Sequence, residues 1–173
     1  QAYYHNSWTI PIENLADLYS VIETARSNPC MYIIRAQGVE DQQTKVRRRL
    51  LHEQQLDGSF YEMPTAWICC DFDKYEVDSG IDPRSPEAIE YLIDTILPAE
   101  FKNVSYIYQW SSSAGLDYRG QAVKPGTNVH VFFYLDRALL NTEFEAWFKK
   151  QHDDGFDIST FRTVTPIYVG NHI

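Results

Sequence analysis

Residues 66–73 read Ala-Trp-Ile-Cys-Cys-Asp-Phe-Asp. The segment is apolar on both alternating faces until two aspartates close it. A strand apolar on both faces is expected at the centre of a sheet. This one segment therefore commits the chain to a sheet with packing around it, and it sets two carboxylates at the sheet's end.

The flanking sequence supplies the packing. Leu15, Leu18, Ile22 and Ala25 fall at helical spacing within residues 13–27, and Asn28-Pro29 stops that helix. Residues 30–35 (CMYIIR) read as a short strand rich in β formers. Residues 37–63 are polar, broken at Gly38 and Gly58, and read as a long excursion with room for one helix. Ser85 caps a second helix with Pro86 in its first turn, and Ile89, Leu92, Ile93, Ile96 and Leu97 form its buried stripe. Strands are predicted at 104–110, 129–135 and 163–169, with a helix from Asn141 through Lys150. The polar stretch 111–127 is long enough to suggest a functional loop. Strands 104–110 and 129–135 suggest a hairpin. No regular βαβ repeat is present. The expected class is α+β, with a mostly antiparallel sheet and helices packed on it.

The 173 residues suit one domain, residues 1–173, able to bury roughly 70% of the surface exposed when unfolded. Fifteen basic against 24 acidic residues give a net charge of −9. That balance argues against a protein that coats DNA, and does not exclude an enzyme whose acids hold metals and whose bases form one local patch. No apolar run approaches a membrane span and no signal peptide opens the chain. Three cysteines make neither a disulfide framework nor a zinc motif, so a reducing cytoplasm is expected. The start at Gln1 and the stop after an apolar segment read as a piece of a longer protein.

Asp71 and Asp73 are two apart on a strand, so their carboxylates point to one side. Like charges that close repel, and a divalent cation such as Mg²⁺ or Mn²⁺ removes the conflict. Paired carboxylates holding metals are the apparatus of phosphoryl and nucleotidyl transfer. The alternative is a strand that has run out into a solvated acidic turn. His130, inside the apolar strand VHVFFYL, is either a core histidine or a donor to phosphate, or a general acid. Position 132 is Phe, which removes a His-x-His metal pair. Ser111, Ser112 and Ser113 before Ala114-Gly115 can cradle a phosphate, with Lys124 adding charge, or form an ordinary loop. Asp157 is a third carboxylate candidate or a helix cap. Lys45, Arg47, Arg48 and Arg49 form the one tight basic run, either a solvated helix face or a contact for a phosphate backbone. Arg35 is an isolated cation at the predicted sheet edge.

Taken in order, Tyr32 to Arg35, the Asp71-x-Asp73 pair, the Ser-Ser-Ser-Ala-Gly loop, His130 in its apolar strand, Asp157 and the closing Thr165-Pro166-Ile167-Tyr168 resemble the archaeo-eukaryotic primase superfamily, the primase-polymerases. The branch most resembled is the bacterial one carried by plasmids, phages and mobile elements. The likeness spans residues 30–169. It implies a catalytic core around an RNA-recognition-motif-like sheet. It implies Asp71, Asp73 and a later aspartate, here Asp157, as ligands of Mg²⁺ or Mn²⁺, and the histidine motif as a binder of nucleotide phosphates. The family's usual serine two residues before the histidine is Asn128 here, which keeps a hydrogen-bonding group.

The resulting expectation is a DNA-dependent nucleotidyltransferase, a primase or primase-polymerase, working by two-metal catalysis in replication of a mobile element. His130, Asn128, Lys124, Ser111 and Ser113 would bind the nucleoside triphosphate. Arg35 and Arg47–Arg49 would steer a single-stranded DNA template, and a helicase, fused or separate, is the implied partner. The alternatives are a metal-dependent nuclease and a non-catalytic module that binds single-stranded DNA.

Overall fold

The computed structural model describes residues 4–52, 57–111, 114, 117–119, 121, 122, 126–151 and 158–170. Its strands are β1 (His5–Trp8), β2 (Gln37–Gly38), β3 (Gln42–Val46), β4 (Phe60–Tyr61), β5 (Thr65–Tyr75), β6 (Tyr106–Trp110), β7 (Asp117–Tyr118), β8 (Gln121–Ala122) and β9 (Thr127–Leu139). Its helices are α1 (Leu15–Arg26), α2 (Pro86–Ile96) and α3 (Asn141–Gln151), with short 3-10 turns at Ala99–Phe101 and Ile158–Phe161.

The centre is a three-stranded antiparallel sheet in the order β5-β9-β6. The predicted pairing of 104–110 with 129–135 is present as β6 against β9. The predicted central strand is not central: β5 lies at the edge and β9 in the middle. The two-sided apolar pattern of β5 has another cause. Ile68, Cys70 and Phe72 face a core made with Ile89 and Leu92 of α2 and Phe144 and Phe148 of α3. Trp67 and Cys69 face the opposite core with Leu18 and Ile22 of α1. The outer edge is met by the 158–161 turn, where the Thr160 hydroxyl donates to the Cys69 carbonyl at 2.8 Å. Helices on both faces and a turn along the edge leave an edge strand as dry as a central one.

The helices start where their caps dictate. Asn14 accepts the Asp17 N–H at 2.9 Å to open α1. Ser85 accepts the Ala88 N–H at 3.4 Å to open α2, with Pro86 first in the helix. Phe144 and Phe148, one turn apart, both sink into the core.

Two predicted strands shrink to a single bridge. Residues 30–35 and 163–169 meet at Ile33 and Ile167, which exchange backbone hydrogen bonds of 3.0 and 2.9 Å. The excursion at 37–63 holds no helix among the described residues; it forms β2, β3 and β4, and β3 pairs with β1, a strand the hydropathy pattern does not announce. Among the described residues no helix is long and apolar enough to cross a membrane.

Candidate active site

Asp71 of β5 stands opposite His130 of β9, and His130 opposite Gln109 of β6. The three side chains form a row across the sheet on the face that also carries Cys69, Phe132 and Ile107. One row back, that face is sealed by Ile33, Ile167 and α1. At the Asp71 row the seal ends: the Asp71 side chain is 25% exposed and that of His130 13%. A rigid apolar sheet thus runs into a polar end.

His130 Nε2 lies 3.4 Å from Asp71 Oδ1, an ion-pair approach longer than a good hydrogen bond. His130 Nδ1 is buried and lacks a partner among the described residues. Asp73, beyond the buried Phe72, is exposed at the same end. Here the ladder changes register: Phe72 pairs with Val129 and Tyr75 with Thr127, so Asp73 and Lys74 stand against Asn128 alone. This is a β-bulge, with Lys74 in the left-handed region at φ 61°.

Asn128 explains the bulge. It is 1% exposed, its side-chain oxygen accepts the Lys74 N–H at 3.0 Å, and its side-chain nitrogen donates to the Gly126 carbonyl at 2.8 Å. The Asn128 side chain is thus engaged within the protein, where it shapes the strand that carries Asp73. Gly126 has φ +80°, and a Cβ there would come within 2.7 Å of the Tyr75 carbonyl oxygen. Ser111 adjoins this end too, its N–H donating to the Asn128 carbonyl at 3.0 Å. The structure thus gathers Asp71, Asp73, Asn128, His130 and Ser111. Gln109 belongs with them; its only sequence signal is a polar residue late in an apolar strand. Ser113, Lys124 and Asp157 lie outside the described residues.

The predicted template-binding cations divide. Arg35 is 1% exposed, donates to the Thr65 hydroxyl at 2.6 Å and stacks over Trp67 at 5.8 Å. Burial pulls its guanidinium down to about 10, and a side chain so enclosed is not placed to meet a DNA strand. Arg49 pairs with Asp57 at 2.9 Å. The Arg47 and Arg48 guanidinium carbons lie over Tyr4 at 5.5 Å and Tyr32 at 5.7 Å. The basic run follows a strand, not a helix. Burial pushes the Cys69 and Cys70 thiols up, which makes them packing groups.

Among the described residues no three His, Cys, Asp or Glu side chains converge closely enough to hold a metal ion. Asp71 and Asp73 supply two hard oxygen donors at a partly open sheet end. Mg²⁺ is ordinarily held by one or two carboxylates, with water and substrate phosphate completing its shell, so the pair fits such an ion. No known family model, curated protein or solved structure matches the chain.

Proposed function

We propose that this chain is a DNA-dependent nucleotidyltransferase, a primase or primase-polymerase catalytic core. The observation that carries the reading is the pairing of Asp71 with His130 across β5 and β9, with Asp73 two residues on at the same sheet end.

In this reading Asp71 and Asp73 hold Mg²⁺ or Mn²⁺, with Asp157 as the further acid that the family resemblance implies. A divalent ion bound there supplies Lewis acidity, which activates the primer 3′-hydroxyl and offsets charge on the leaving pyrophosphate. His130, facing Asp71 across the two strands, binds the triphosphate. Ser111, Ser113 and Lys124 ring the phosphates and stabilise charge as it builds up. Asn128 and Gly126 hold the bulge that sets where Asp73 points. A single-stranded DNA template and nucleoside triphosphates are the substrates, and a helicase, fused or separate, is the partner.

Incubation with Mn²⁺, a primed template and labelled nucleotides tests this directly. Primer extension that disappears in Asp71→Asn is expected. Degradation of the primer would point to a nuclease, and no reaction to a module that only binds DNA.

A further inference from the structure

The outer face of β1 carries features that the sheet-end site does not use. Residues 4–8 alternate in burial, which puts Tyr4, Asn6 and Trp8 on one side. Tyr4 is 52% exposed and Trp8 56%. Large aromatic surfaces are here left in water, whereas Trp67 of β5 is buried to 6% exposure. Beside them lies a groove of about 590 Å³. Trp8, Val39 and Val46 line it together with polar residues that include Asn6, Glu40 and Gln43, giving one aromatic face, an aliphatic patch and several hydrogen-bonding groups. Its volume falls within the roughly 300–1,000 Å³ range of small-molecule pockets.

Positive charge adjoins the same strand. His5 pairs with Val46, so Arg47 emerges at the Tyr4 end of β1; its guanidinium lies over the Tyr4 ring and reaches the Tyr4 hydroxyl at 3.3 Å. Arg48 lies over Tyr32, which itself touches His5 at 5.3 Å and Tyr168 at 5.5 Å between ring centroids. Tyr168 is 46% exposed. In a protein of net charge −9, two arginines held on aromatic rings beside a polar groove make a local exception.

We infer that single-stranded nucleic acid binds along this face, with bases stacking on Tyr4 and Trp8, phosphates meeting Arg47 and Arg48, and one base entering the groove. Base–aromatic stacking tolerates any sequence because every base has a π-face, and arginine beside an aromatic ring serves both phosphate and base. Val39 and Val46 are the groove's aliphatic lining, a small apolar anchor for a protein partner, and a double helix would bring phosphates but no accessible base faces. Tyr32 and Tyr168 flank Ile33 and Ile167, which cover the sheet face that ends in Asp71 and His130. The strand-binding face therefore belongs to the layer adjoining the candidate active site. The inference rests on the proposed function for its choice of ligand, and its test reads binding alone.

Fluorescence anisotropy with a labelled thymidine 30-mer, an abasic 30-mer and a duplex is the experiment. The thymidine strand should bind tightest. Tyr4→Ala/Trp8→Ala should weaken it tenfold or more, Trp8→Phe should restore most of the loss, and Arg48→Gln should lower the salt slope by about one. Asp71→Asn should bind like wild type, so loss of incorporation in that variant tests the catalytic reading separately. Equal binding of the abasic strand or of the duplex, or wild-type affinity in the Tyr4/Trp8 double variant, overturns the inference.

Discussion

The side-chain oxygen of Asn128 accepts the backbone N–H of Lys74 at 3.0 Å. That bond spans β9 and β5 and closes the bulge that carries Asp73. Lys74 is in the left-handed region, which costs a residue with a Cβ about 1–2 kcal/mol. The Asn128 side chain offsets this by satisfying the amide left out of the ladder. Asn128→Ala should lower stability by about 1–2 kcal/mol. It should also speed hydrogen exchange at the Lys74 amide while leaving the Phe132 amide protected. Unchanged exchange at Lys74 would show that the bulge holds itself.

Lys74→Gly tests the same geometry from the other side. Glycine adopts positive φ freely, so the strain at φ 61° disappears, although the unfolded chain gains freedom. Denaturant unfolding should show unchanged or slightly raised stability, by up to about 1 kcal/mol. Gly126→Ala, by contrast, would push a methyl group against the Tyr75 carbonyl oxygen and should destabilise the bulge. Equal losses in both variants would mean that the bulge is not the strained element.

The sequence made the helices and the two apolar strands that carry Asp71 and His130 legible because each rests on local chemistry. Caps at Asn14 and Ser85 and apolar spacing define α1 and α2, and an apolar strand carries each of Asp71 and His130. The edge position of β5 was not legible, because burial of an edge by Thr160 and Phe161 leaves the same pattern as burial by another strand. Nor was Asn128 as a clamp, since a bulge depends on register between strands 54 residues apart. Arg35 misled for a similar reason. A lone arginine ending an apolar run reads as an exposed cation, whereas it folds under the Thr65 end of β5 and lies against Trp67.

Asp71→Asn should reduce nucleotide incorporation at least a hundredfold, with no loss of thermal stability. The substitution keeps shape and removes one of the two acids at the sheet end, and its contact with His130 at 3.4 Å is too long to contribute much. Incorporation assays with Mn²⁺ and a thermal scan of both proteins suffice. Near wild-type incorporation would remove Asp71 from the site.

His130→Ala should raise the dissociation constant for nucleoside triphosphate tenfold or more, equivalent to about 1.4 kcal/mol. Titration calorimetry on Asp71→Asn and on the double variant separates binding from turnover. If His130 instead serves only as packing against Phe132, whose ring lies 6.3 Å away, stability will fall and nucleotide affinity will not.

Arg35 gives a prediction independent of any activity. The residue is 1% exposed, and its Nε and Nη1 have no partner among the described residues. Burial brings its pKa down from the ordinary arginine range to about 10. The sign follows from linkage: the folded protein holds this proton less tightly than the unfolded chain, so folding carries a penalty at every pH below about 10. At roughly 1.4 kcal/mol per tenfold change, that penalty is on the order of 3 kcal/mol. The stack on Trp67 and the Thr65 hydrogen bond return part of it. Arg35→Met keeps the length and apolar stem while removing the charge, and should leave stability at pH 7 unchanged or raise it by up to about 2 kcal/mol. Arg35→Ala should destabilise by about 2 kcal/mol or more, because the stem's packing is lost as well. Wild type should gain on Arg35→Met as pH rises above about 10, where the penalty is progressively relieved. Urea unfolding of the three proteins at pH 7 decides the matter: a loss of 3 kcal/mol or more in Arg35→Met would show that the guanidinium is a fully paired structural cation.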